Sequence, residues 1–185
     1  MKYLTLIFLL GGLALNLRGG SSAPGDTNIP FEAATGILGY SLAQAQRVEI
    51  YEGLPREQAG SDIKKNLDTC RQIAGQWVYS VPEEIRPKHA MKLQHLLDEG
   101  LFQPWREGKL GGGFHADYVI GVPRPKDTLY VLVCFECQEA RIVREGSPFA
   151  ADPRSPDFRL TTGLNSKNFE ELRSLLTGYH QTQPQ

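Results

Sequence analysis

Cys134-Phe135-Glu136-Cys137 sets two thiols three residues apart, and Gly112-Gly113-Phe114-His115-Ala116-Asp117-Tyr118 adds an imidazole and a carboxylate in one short block. Thiols can form a bridge, exchange disulfides as thiolates or hold a metal, and a neutral imidazole can bind a metal or move a proton near ambient pH. The candidate binding or redox residues are therefore His115, Asp117, Cys134, Cys137 and Glu139. In a continuous strand Cys134 and Cys137 point to opposite faces with their Cα atoms about 10 Å apart, too far for a disulfide. A bend at Phe135-Glu136 would instead turn both thiols toward one site.

Three cysteines leave at least one unpaired within a monomer. The leading expectation is a structural disulfide of Cys70 with Cys134 or Cys137, beside thiols that stay reduced, a local redox pair, or a metal site. The metal alternative is zinc on His115 and Cys137, joined by Cys134 or Cys70 where the chain bends; the leading reading needs no cofactor and no metal. Pairing Val122 with Thr128 would set His115 opposite Phe135 and diagonal to Cys137. Asp117 shares a strand face with His115, but a two-residue spacing of about 7 Å makes no proton relay. The plainer role for His115 is a hydrogen-bonded histidine at a hairpin end. His89 and His95 belong to a predicted helix as local surface or packing residues, and His180 to the tail.

Other chemistry is thinly signalled. Gly111-Gly112-Gly113 lacks the lysine and the following helix of a phosphate-binding loop, so it reads as flexibility or close packing. No serine sits in a nucleophile elbow, and the positions of Glu49, Glu52, Asp117, Glu136 and Glu139 do not define a glycosidase pair. Three function classes follow. A noncatalytic envelope domain that binds a protein or small ligand comes first, then a metal-binding protein, then a thiol-disulfide oxidoreductase needing an exposed, low-pKa thiol.

The elements that must position these residues are legible from periodicity. Arg47 to Glu52 alternates as a strand stopped by Gly53 and Pro55, Asp62 to about Thr69 reads as a short helix ending at Cys70, and Ile73 to Tyr79 alternates as a second strand. Pro87 to Asp98 is a helix with an inward stripe of Ala90, Leu93 and Leu97, and Leu101 to Leu110 a loop. Phe114 to Val122 and Thr128 to Phe135 form a hairpin around Pro123-Arg124-Pro125-Lys126-Asp127. Ala140 to Val143 adds a strand and Phe158 to Thr161 a short edge strand. In the last helix, Ser166 to Leu176, Asn165 is the cap and Leu164 staples to Phe169. Interleaved strands and helices predict a single-domain α+β fold, a mostly antiparallel sheet with helices packed on one face.

Location is the firmest functional clue. Met1-Lys2-Tyr3 is a basic lead, Leu4 to Leu17 is almost wholly apolar, and Gly20-Ser21-Ser22 offers small residues for cleavage before Ala23. This reads as a signal peptide over residues 1–22. The apolar run is short against the roughly 20 residues of a spanning helix, so retained anchoring is the lesser alternative and no stable membrane span is expected after cleavage. The chain is expected in the periplasm or secreted. Residues 23–46, rich in Gly, Ala and Ser, read as a coil or flexible leader, residues 47–179 as one domain, and residues 180–185 as a frayed tail. Loss of Lys2 and Arg18 leaves 18 basic against 21 acidic residues. That balance argues against a nucleic-acid partner.

Tyr51-Glu52-Gly53-Leu54-Pro55, Gly112 to Tyr118 and Cys134-Phe135-Glu136-Cys137-Gln138-Glu139 resemble the recurring blocks of an uncharacterised family of small exported bacterial proteins found among planctomycetes and verrucomicrobia. The resemblance spans roughly Arg47 to Tyr179 and implies this organisation without implying an activity. It departs at Gly111, where members of that family often carry cysteine.

Overall fold

The computed structural model describes residues 29–55, 68–105, 113–146 and 158–180. The expected signal peptide, the start of the leader, the helix expected from Asp62 as far as Leu67, Gly111, Gly112 and residues 181–185 lie outside them; Asp68 and Thr69, expected to end that helix, form a turn. Nine strands and three helices are described: α1 Phe31–Gln44, β1 Glu49–Glu52, β2 Cys70–Ile73, β3 Gln76–Tyr79, β4 Glu83–Glu84, α2 Pro87–Asp98, β5 Phe102–Pro104, β6 Tyr118–Pro123, β7 Thr128–Cys134, β8 Glu139–Glu145, β9 Phe158–Leu164 and α3 Ser166–Leu176. A 3₁₀ turn, Thr177–Tyr179, follows α3.

Seven strands make one antiparallel sheet in the order β4-β1-β6-β7-β8-β9-β5, and β2-β3 is a separate hairpin. Successive side chains on a strand point to opposite faces. Tyr118, Ile120 and Val122 of β6, with Leu129, Val131 and Val133 of β7, therefore meet Ala34 and Leu38 of α1, Leu93 and Leu96 of α2, and Phe169, Leu172 and Leu176 of α3 in one core. All three helices cover this face. On the opposite face Tyr51, Val119, Tyr130, Leu132 and Val143 pack with Ile73 and Val78 of the small hairpin. Cover on both sides explains why β6 and β7 are apolar almost without alternation, since each buried Val, Leu or Ile contributes about 1.5–3 kcal/mol wherever it points.

The α+β architecture is the expected one, and four local expectations are corrected. Phe31–Gln44 is a helix where a leader was expected, so the fold begins before residue 47. Small residues read as coil, yet Ala34, Leu38 and Ser41 recur at helical spacing and form its buried stripe. The strand expected over Ile73 to Tyr79 is folded back on itself at Ala74 (φ 49°) and Gly75 (φ 79°), both left-handed as a two-residue hairpin turn requires. The loop after Leu101 contains β5, which pairs with β9; β9 is thereby an inner strand and β5 the edge. Finally, His180, expected at the start of a frayed tail, meets Glu52. Tyr179 is buried, and its hydroxyl accepts from the Arg86 amide at 2.9 Å and lies 2.8 Å from His89 Nδ1.

The last helix forms as its start signals predict. Asn165 Oδ1 accepts from the Lys167 amide at 3.0 Å, while its Nδ2 donates to the Gly100 carbonyl at 3.1 Å and Asn168 Nδ2 to the Glu99 carbonyl at 3.2 Å. Side chains at the start of α3 thus satisfy carbonyls at the end of α2, while Asn165 caps its own helix. Gly100, at φ 78°, supplies the left-handed residue that ends α2.

Candidate functional site

The three sequence blocks meet at one end of the sheet. Gly53, just past β1, donates its amide to the Asp117 carbonyl at 2.8 Å and forms a bridge with Val78 of β3. The approach is close enough that a Cβ on Gly53 would lie 1.8 Å from the Ala116 carbonyl oxygen. The Ala116 amide donates to Gln76 Oε1 at 3.2 Å, and the Asp117 amide to the Val133 carbonyl at 2.8 Å. Backbone crossing of this kind needs glycine at 53.

Asp117 carries the junction into the cysteine turn, where its Oδ2 accepts from the Phe135 amide at 2.6 Å. Strand β7 ends at Cys134, opposite Glu139 of β8, and Phe135 to Gln138 form the turn between them, with Gln138 left-handed at φ 51°. This bend brings the Cys134 and Cys137 Cα atoms to 5.6 Å, and the two are joined as a disulfide. The leading sequence expectation, a bridge from Cys70, is corrected: Cys70 is buried on β2 in the separate hairpin and has no disulfide. The continuous-strand argument fails because the strand stops one residue earlier than expected.

Position within the turn makes the two sulfurs unequal. Cys134 is 0% exposed, whereas Cys137 is half-buried between exposed Glu136 and Gln138. The Cys137 amide donates to Cys134 Sγ at 3.3 Å. Phe135 lies inward, 5.7 Å from the Tyr118 ring and 5.9 Å from Phe169 of α3, with the Arg173 guanidinium 5.8 Å from its centroid. Such aromatic and cation contacts contribute about 0.5–1.5 kcal/mol each. In the chain-entropy account a bridge closing four residues adds only about 2 kcal/mol, against about 4 kcal/mol for one reaching from Cys70.

The remaining polar groups line the same end. Glu52 is 8% exposed and pairs with His180 through Oε1 and Nδ1. Burial, then the nearby carboxylates of Glu52, Asp117 and Glu83, push the Tyr118 phenol up to about 12, so it is a neutral hydroxyl at physiological pH. Phe114 packs against the second core, under the Arg141 guanidinium at 4.0 Å. His115 follows it, half-buried and ahead of β6, and does not enter the ladder. The β6–β7 register pairs Pro123 with Thr128 and Tyr118 with Val133, one residue from the register expected. His115 is therefore not opposite Phe135 across a ladder pair.

Asp117, Cys134, Cys137 and Glu139 lie at this end of the sheet. No family model, curated protein or solved structure matches the chain. Among the described residues no group of three or more His, Cys, Asp or Glu side chains is arranged to hold a metal ion. Sequence reasoning missed Gly53, Phe135, the Glu52–His180 pair and Arg173. The one available signal was a glycine directly after a strand, which marks close backbone approach without saying to what.

Proposed function

We propose that the protein is a noncatalytic domain of an oxidising extracytoplasmic compartment, freed by removal of residues 1–22, that binds a protein or small ligand at the end of its sheet. The observation that carries this reading is the Cys134–Cys137 bridge with Asp117 closing its turn. Disulfides persist in exported proteins and are rare in reducing ones. Among the groups with catalytic potential, the two cysteines are joined in a bridge, the Asp117 carboxylate accepts from an amide and Glu52 meets His180. A nucleophile needs an adjacent base held by a third group, and these pairings do not form that arrangement. No described helix is long and apolar enough to cross a membrane.

Intact-mass analysis of the protein from fractionated source cells tests the reading. The expected product begins at Ala23, is found outside the cytoplasm, and weighs two hydrogens less than the fully reduced chain. Retention of Met1 to Leu17, or a cytoplasmic protein with three alkylatable thiols, would overturn it. Stoichiometric zinc in the purified protein, lost in both His115→Ala and Cys137→Ser, would establish metal binding in its place.

A further inference from the structure

We propose that the Cys134–Cys137 bridge is an exchangeable redox element, with Cys137 the sulfur attacked by an incoming thiolate and Cys134 the one that leaves. The inference goes beyond the binding role and does not depend on which ligand the domain takes. Thiol-disulfide exchange requires an attacking thiolate to reach one sulfur in line with the bond it breaks. Only one of the two offers that access: Cys137 is partly exposed at the tip of the turn, while Cys134 is 0% exposed at the end of an interior strand. This order is the reverse of a redox pair at a helix start, where the first cysteine meets solvent.

The leaving side is prepared as well. As the S–S bond breaks, its electron pair goes to Cys134 Sγ, which already accepts the Cys137 amide at 3.3 Å. A hydrogen bond to the charged form favours it. The turn has ties besides the bridge. Asp117 holds the Phe135 amide at 2.6 Å, Gln138 donates to the Phe135 carbonyl at 3.3 Å, Cys134 remains paired with Glu139, and the Phe135 ring is set between Tyr118 and Phe169. The sulfurs therefore stay within reach when parted.

The balanced sequence uses two equivalents of a thiol reductant. The first thiolate bonds to Cys137 Sγ and expels the Cys134 thiolate, which takes a proton from water. The second attacks the reductant's sulfur in that mixed disulfide, leaves as the oxidised disulfide, and releases Cys137 as a thiol after protonation. The bridge gains two electrons and two protons, and the reductant loses them. The coreactant class is an exposed thiol, on a small molecule or on a protein, acting stoichiometrically on the bridge.

The test is the rate of bridge opening in the full mature chain, by dithiothreitol with iodoacetamide quench and peptide mass mapping, beside the global unfolding rate. Expected is opening proportional to dithiothreitol concentration and at least about 100-fold faster than unfolding. Opening that saturates at the unfolding rate would overturn the proposal. In a second arm, Cys134→Ala and Cys137→Ala are treated with 5,5′-dithiobis(2-nitrobenzoate). Cys137 should form its mixed disulfide at least about 10-fold faster than Cys134, with Cys70 followed by mapping as a buried internal reference. Equal rates would overturn the assignment of roles. Neither outcome bears on cleavage or location, which the intact mass decides separately.

Discussion

Replacing Gly53 with alanine should unfold the junction that joins the three sequence blocks. The added Cβ would lie 1.8 Å from the Ala116 carbonyl oxygen, 2.9 Å from its carbon and 3.0 Å from the Asp117 oxygen, all backbone atoms that no rotamer change can move aside. An ordinary carbon–oxygen contact is about 3.3 Å, so the chain must retreat by more than about 1 Å. That displacement strains the Gly53 amide bond to Asp117 at 2.8 Å and the neighbouring Leu54 bond to the Trp77 carbonyl at 3.2 Å. Two hydrogen bonds at about 1 kcal/mol each and an overpacking penalty of about 1–3 kcal/mol give a loss of about 3–5 kcal/mol. With a urea slope near about 2 kcal/mol per molar, the midpoint should fall by about 2 M at unchanged slope. Gly36→Ala supplies the opposite sign: the site is exposed in α1, nothing lies within 4 Å of a Cβ there, and removing backbone freedom should stabilise by about 0.5–1 kcal/mol. A Gly53→Ala midpoint within roughly 0.5 M of wild type would refute the close-approach reasoning.

Other substitutions test the same structure elsewhere. Asp117→Ala should cost about 1.5–3 kcal/mol by removing the charged acceptor of the Phe135 amide, and Asp117→Asn less than half as much because an acceptor remains; urea midpoints of the two variants check the ordering. Asn165→Ala should cost about 1–2 kcal/mol by uncapping α3, with Asn165→Ser recovering most of it in thermal unfolding. Tyr118 ionises at about 12 in the fold against 10.0 ordinarily, so its contribution is complete below pH 10 and is lost as pH rises toward 12. Tyr118→Phe should flatten the decline of the urea midpoint over that window; an unchanged slope would deny the phenol its buried, carboxylate-lined setting.

Patterns carried by adjacent residues were legible in the chain. The last helix could be read from Asn165, Leu164 and the stripe through Phe169, Leu172 and Leu176, because capping and helical periodicity depend on neighbours three or four residues apart. The β6–β7 hairpin was equally visible in its apolar runs and proline-rich turn, although its register was off by one, because Arg124 and Asp127 close the turn with Pro123, not Val122, opposite Thr128. The first helix was missed because Gly36, Gly39 and Ser41 look like loop residues until α2 and the sheet supply a surface for its stripe.

The sequence by itself determined the α+β class, the helices over Pro87–Asp98 and Ser166–Leu176, and the concentration of reactive residue types in two short blocks. Tertiary structure alone decided which cysteines join, because ending β7 at Cys134 closes a distance of about 10 Å in a continuous strand to 5.6 Å, while Cys70 is carried away on a different sheet. It also decided that Asp117 serves the Phe135 amide and that Gly53 must have no side chain. Those facts depend on backbones that cross from distant parts of the chain, and local propensity holds no record of what will lie on the other side of a contact.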